Sequence, residues 1–192
     1  MRAIIIYATC EGQTERIAKR CADVMRRVGV ATDTYDVTRN DVAELAVESY
    51  DAVMLGASLH YAKHDPRIAW CIREHRQRLA SIPTAFFSVS LGIISEHAKD
   101  RAEAEWLADE FLHDQSFNPT RRACFAGALR YSRYGWLKKR LMRSIAEKSG
   151  SKTETTQDYE YTDWNAVNAF ATDFAALLIG NTTERLQSTL AS

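Results

Sequence analysis

Cysteine, proline and glycine are all scarce in this chain. Its 192 residues hold four Cys, three Pro and eight Gly. So little proline and glycine argues against a fibre or a disordered, low-complexity chain. The cysteines, Cys10, Cys21, Cys71 and Cys124, lie far apart and form no C-x-x-C pair. A disulfide framework is therefore not expected at this size, and a reducing compartment is the simpler setting. Net charge is missing too, because 25 basic residues balance 25 acidic ones. A dedicated nucleic-acid binder would carry a basic excess, and the balance argues against one. No apolar run approaches the ~20 residues of a membrane-spanning helix. The opening Met1–Ala8 is too short an apolar run for a signal peptide. Membrane contact, if any, is expected to be peripheral.

What is present is a regular alternation. Apolar runs at Ala3–Ala8, Val30–Val37, Asp51–Ala57, Ala85–Leu91 and Ala123–Ala128 read as strands. Amphipathic stretches at Arg16–Val28, Pro66–Leu79, Lys99–Leu112 and Asp163–Ile179 read as helices. On the first helix Ile17, Cys21, Val24, Met25 and Val28 share one face, so Cys21 reads as a small buried hydrophobe. Gly29 is a plausible stop. Strands alternating with helices predict βαβ units around a parallel sheet covered on both faces. The expected class is α/β, a flavodoxin-like three-layer sandwich with five strands in the order 2-1-3-4-5. One domain over residues 1–179 is expected, with a polar, loosely ordered tail over 180–192. A long insertion, about 129–162, separates the fifth strand from the last helix and is expected to carry specificity.

Three loops carry the chemistry. The first strand runs into Thr9-Cys10-Glu11-Gly12-Gln13-Thr14 and then a helix. Hydroxyl donors, a glycine that lets the backbone approach, and the free N–H groups of a helix start suit a phosphate. It is neither a Walker loop nor G-x-G-x-x-G. Strand 3 ends without a phosphorylatable Asp, which excludes a response regulator. From this loop alone an ordinary capped turn is an equal reading. The third strand runs into Ser58-Leu59-His60-Tyr61 and the fourth into Ser88-Val89-Ser90-Leu91. In the order 2-1-3-4-5 these loops meet the first one at the switch point. They are expected to flank a planar cofactor, with Tyr61 as the stacking ring. An ordinary half-buried loop tyrosine is the plain alternative. His60 and His64 lie near this loop and are weak candidates for a base. With Asp65 they offer too few ligands for a metal, and none is expected.

The insertion is basic. Arg130, Arg133, Lys138, Lys139, Arg140 and Arg143 fall in one stretch without an acidic residue, and Trp136, Leu137, Leu141, Met142 and Ile145 recur at helical spacing. This reads as a basic amphipathic helix for an anionic membrane surface or for substrate carboxylates. A solvated helix packed by its apolar face is the plain alternative.

The residues also resemble a family. Thr9-x-x-Gly12-x-Thr14 is similar to the FMN phosphate loop of flavodoxins. Several segments together are similar to the menaquinone-dependent protoporphyrinogen oxidases of bacterial haem synthesis. These are Glu11-Gly12-Gln13-Thr14, Gly56-Ala57-Ser58 with Tyr61 and His64, Ser88-Val89-x-Leu91, the run from Ala126 through Arg130 to Trp136, and Tyr161-Thr162-Asp163-Trp164. The likeness extends from about Arg2 to Leu178. Residues 92–99 and the more charged insertion helix depart from the family's pattern. The resemblance implies one FMN per chain and six-electron oxidation of protoporphyrinogen IX to protoporphyrin IX. It implies a menaquinone-type acceptor and a cytoplasmic protein peripherally held at the inner membrane. Whether the chain forms a homo-oligomer stays open. A flavodoxin-type electron carrier and an NAD(P)H:quinone reductase are the competing readings.

Overall fold

The computed structural model describes residues 1–129 and 159–190. Strand β1 (Arg2–Ala8) is the centre of the fold. After the exposed Arg2 its residues, Ala3 to Ala8, are apolar or aromatic and all buried, as cover on both faces requires. Ile5 and Tyr7 face one layer, and Ile4 and Ile6 face the other. Five parallel strands run in the order β2 (Ala31–Asp36), β1, β3 (Ala52–His60), β5 (Thr84–Ser90), β6 (Arg121–Ala126). The expected flavodoxin-like order is therefore present.

Helix α1 (Gln13–Arg27) covers the first face with Ile17, Cys21 and Met25, all fully buried. Beside it packs α5 (Trp164–Leu190) through Val167, Phe174 and Leu178. Asp163 starts α5 by accepting the Asn165 and Ala166 N–H groups, at 2.8 and 3.1 Å, as an N-cap residue does. The second face carries α2 (Pro66–Glu74), the short α3 (Arg76–Leu79) and α4 (Ala98–Asp114) over Phe86, Ile68 and Leu112.

Four features differ from the sequence reading. Strand β3 extends past Ala57 to His60 and turns back through Tyr61 and Ala62 into β4 (Lys63–His64), which pairs with it antiparallel. The positive φ of both turn residues, 50° and 58°, is the backbone a tight hairpin needs. The helix expected over 66–79 is broken at His75 (φ −101°, ψ 19°), and Leu79 still reaches the core. The tail expected after Gly180 is instead helical to Leu190. A helical glycine costs only about 1 kcal/mol against Ala, and Gly180 touches nothing that would turn the chain. The insertion leaves and returns through a two-stranded ribbon, β7 (Ala128–Leu129) against β8 (Tyr159–Glu160). Among the described residues no helix is long and apolar enough to cross a membrane.

Candidate functional site

The loops after β1, β3 and β5 open on one cavity of about 440 Å³ at the carboxyl edge of the sheet. That volume lies within the range of small-molecule sites. Thr9, Glu11, Gln13, Thr14, Ser58, Leu59, His60, Tyr61, Val89, Ser90 and Leu91 all line it. The topology explains the convergence, because the connections leave β1 toward β2 on one side and β3 toward β5 on the other, which opens the switch-point crevice between β1 and β3.

At one end lies a corner suited to an anion. Gly12 takes a left-handed conformation (φ 87°, ψ −1°) and no side chain caps the start of α1. The Thr9 hydroxyl oxygen accepts the Gly12 N–H at 2.9 Å, which curls the loop over the helix start. Thr14 is only 1% exposed. The first N–H groups of a 15-residue helix have no partner within the helix and lie at its positive dipole end. Among the described residues, the charged groups lining the cavity are Glu11, Asp100 and Glu103, with no lysine or arginine. What these residues offer a phosphate is therefore a set of neutral N–H and O–H donors. The residues fit the phosphate of FMN, and the rest of the cavity fits a flat ring system.

At the other end lies the β3–β4 hairpin. Tyr61, at its tip, is 81% exposed and lines the cavity, so its ring is free to meet a planar partner. Its neighbour His60 also lines the cavity.

The structure separates the two histidines. His64 is buried, and its Nε2 lies 2.9 Å from the Ser88 hydroxyl. Phe86 and Phe111 pack on its ring at 5.8 and 4.7 Å between centroids. Burial lowers its pKa from 6.5 to about 4, so it is a neutral core group. Neither His64 nor Ser88 lines the cavity; successive residues of β5 point to opposite faces, and Ser88 points to the hairpin's anchor. Cys10 is exposed in the loop but outside the lining. Burial pushes the Cys21 and Cys71 thiols up to about 12, which leaves them inert. Among the described residues no group of three His, Cys, Asp or Glu side chains could hold a metal. Arg130, Arg133, Trp136, Lys138, Lys139, Arg140 and Arg143 lie outside the described residues.

One wall was not anticipated from the sequence. Asp100, Glu103, Ala104 and Leu107 of α4 line the cavity opposite the phosphate loop. Their i, i+3, i+4, i+7 spacing marks one helix face and was the available signal. Gly127 and Ala128, where the insertion departs, complete the lining.

Comparison with known proteins agrees with this geometry. A family model described as a flavodoxin domain matches residues 4–156. The chain is 35% identical over 177 residues to the protoporphyrinogen IX dehydrogenase (quinone) of Escherichia coli (strain K12), covering 92% of this chain and 96% of that one. It is 34% identical over 180 residues to a protein of the same name from Leishmania major, covering 92% and 75%. Among solved structures it is similar in fold to a flavodoxin from the domain Archaea (TM-score 0.53, 16% identity, 93% of this chain and 99% of that chain). It is likewise similar to the rubredoxin oxygen:oxidoreductase of Desulfovibrio gigas (TM-score 0.57, 16% identity, 93% and 36%).

Proposed function

The chain belongs to the flavodoxin-domain family and to the family of the protoporphyrinogen IX dehydrogenases, and from that premise we propose that it oxidises protoporphyrinogen IX to protoporphyrin IX with FMN and passes the electrons to a menaquinone-type quinone. The step belongs to haem biosynthesis, and the protein works from the cytoplasmic side while touching the inner membrane peripherally. The observation that carries this reading is that residues at the start of α1 and the exposed aromatic hairpin line one and the same cavity.

When bound, FMN would supply the redox chemistry that links substrate oxidation to quinone reduction. The chain's own residues bind and orient. Thr9, Gly12 and Thr14, with the first N–H groups of α1, would hold the phosphate. Of the residues that line the cavity, Tyr61 and Leu91 would hold the ring system with Ser58–His60 and Val89–Ser90. The α4 wall offers a tetrapyrrole apolar surface at Ala104 and Leu107 and the carboxylates of Asp100 and Glu103 as acceptors for pyrrole N–H groups. The basic residues of the insertion, Arg130 to Arg143, serve the propionates or the anionic membrane surface.

Turnover tests the reading. The protein is loaded with FMN, and protoporphyrin fluorescence is followed anaerobically from protoporphyrinogen IX with a menaquinone analogue. Growth that depends on both FMN and quinone is expected. Bound FMN with no turnover would leave a flavodoxin-type carrier; bleaching by NAD(P)H alone would point to a quinone reductase.

A further inference from the structure

We propose that Glu160 and Thr162, at the return end of the insertion, are positioning residues for the cofactor's phosphate and act on it through Gln13 and Arg16. The inference rests on the reading that the α1 corner receives that phosphate.

Gln13 is the first residue of α1 and only 4% exposed, although it is polar and lies at the mouth of a loop. Its side chain is turned to the strand that ends the insertion. Nε2 donates to Thr162 Oγ1 at 2.8 Å and to Glu160 Oε1 at 3.1 Å. Its Oε1 accepts from Arg16 Nη1 at 3.2 Å. The same Arg16 nitrogen donates to Glu160 Oε2 at 2.7 Å. Thr162 donates its one hydroxyl proton to the Ala126 carbonyl at 2.8 Å, so it can only accept from Gln13. That fixes which way round the Gln13 amide stands. Both amide N–H groups are thereby committed inside the protein, and Gln13 has only its main-chain N–H to offer a phosphate.

The chain thus closes a loop of nearly its whole length at this point. Residues 147 and 149 positions away hold the first turn of α1. Arg16 also lies over the Trp164 ring, 5.4 Å from its centroid, at the start of α5. Burial raises the pKa of Glu160, but hydrogen bonds from Arg16 and Gln13 outweigh this and hold its carboxyl below the usual range. It is ionised in the working protein.

That charge gives the inference a sign that simple electrostatics would not. A carboxylate near an anion site repels the anion, so its removal should tighten phosphate binding. A carboxylate that holds the helix start in place does the opposite, because oriented donors lose affinity when their support is removed. Riboflavin separates the two accounts from general damage, because it has the ring system and no phosphate.

The experiment titrates FMN and riboflavin into the full chain by flavin fluorescence. Glu160→Ala is expected to weaken FMN about tenfold, a size typical of lost support around a bound group. Riboflavin affinity should stay near wild type, and the urea midpoint of the flavin-free protein should fall only slightly, by the stability the partly exposed Glu160 carboxylate contributes. Glu160→Gln, which keeps an acceptor but no charge, should recover part of the loss. Thr162→Val should weaken FMN selectively, and Thr162→Ser should restore it. Tighter or unchanged FMN binding in both Glu160 variants, in a wild type that prefers FMN to riboflavin, would overturn the positioning role. A wild type with equal affinity for the two flavins would instead remove the phosphate reading on which it rests.

Discussion

The two ends of the cavity are built in opposite ways. The phosphate corner is closed: Gln13 and Thr14 are buried, and hydrogen bonds tie Gln13 to β8 and Thr162. The hairpin rim is open: Tyr61 is exposed and its turn uses two non-glycine residues at positive φ. His64 pins the hairpin to β5 through the Ser88 hydroxyl and the Phe86 ring. A phosphate is the same in every redox state, so its donors gain from being fixed in advance. A ring that must meet both a tetrapyrrole and a quinone needs a side that stays accessible. Fixed donors and an accessible face are competing demands, and the fold meets them on different elements.

Acid should break the rim before the corner. His64 titrates near 4 in the folded protein, against 6.5 for an unburied histidine. Between those values the unfolded chain binds a proton that the folded chain refuses. Stability is therefore complete above about 6.5 and is lost as pH falls toward 4. A shift of that size is worth about 3 kcal/mol. The corner behaves otherwise: the depressed Glu160 contributes above its unfolded value of 4.5 and weakens only below it. Asp65, held low by its hydrogen bond from Arg67, also responds only at the acid end. Urea unfolding at pH 7 and pH 5 should show a wild-type loss that His64→Gln removes. An equal loss in the variant would place the acid sensitivity elsewhere.

A smaller effect separates the two ends by ligand. Tyr61→Ala removes the exposed ring and should weaken FMN by about tenfold, as the loss of one aromatic stacking partner does. Riboflavin should weaken by the same factor, because the ring system is common to both. The corner variants are expected to affect FMN alone. If Tyr61→Ala weakened FMN and spared riboflavin, the hairpin would be acting on the phosphate and the division would fail.

Much of this division was readable from local sequence. The alternation of apolar runs and amphipathic stretches specifies the βαβ order, because burial on both faces leaves a continuous apolar strand such as Ile4-Ile5-Ile6. The hydroxyls and glycine of residues 9–14 mark the corner for the same local reason. What could not be read depends on long-range pairing. Nothing near Gln13 says that its amide is taken by Glu160 and Thr162. His60 and His64 look alike in sequence, yet hairpin pairing puts one at the cavity and the other under Phe86 and Phe111. The Tyr61-Ala62 turn lacks the Asn-Gly or Asp-Gly signature of its backbone, so the hairpin gave no turn signal. The α4 wall was hidden because its cavity stripe includes two carboxylates, which reads as a solvated face.

The smallest expected effect tests the backbone choice itself. Gly12 at the corner and Ala62 at the rim both have positive φ, 87° and 58°, but only the corner uses glycine. A residue with a Cβ pays roughly 1–2 kcal/mol in the left-handed region. Glycine avoids that but loses more chain entropy on folding, roughly 0.5–1 kcal/mol. Ala62→Gly should therefore stabilise the flavin-free protein by about 0.5 kcal/mol, and Gly12→Ala should destabilise it by a similar amount. Flavin binding should divide the pair further. Ala62→Gly leaves the Tyr61 ring in place and should leave affinity near wild type. Gly12→Ala puts a methyl group where the backbone approaches the phosphate and should weaken FMN more than riboflavin. Urea midpoints and flavin titrations of the two variants read both differences. A loss of stability in Ala62→Gly would mean that the Ala62 side chain stabilises the hairpin by more than its strained backbone costs, and the rim would then be less loosely held than its exposure implies.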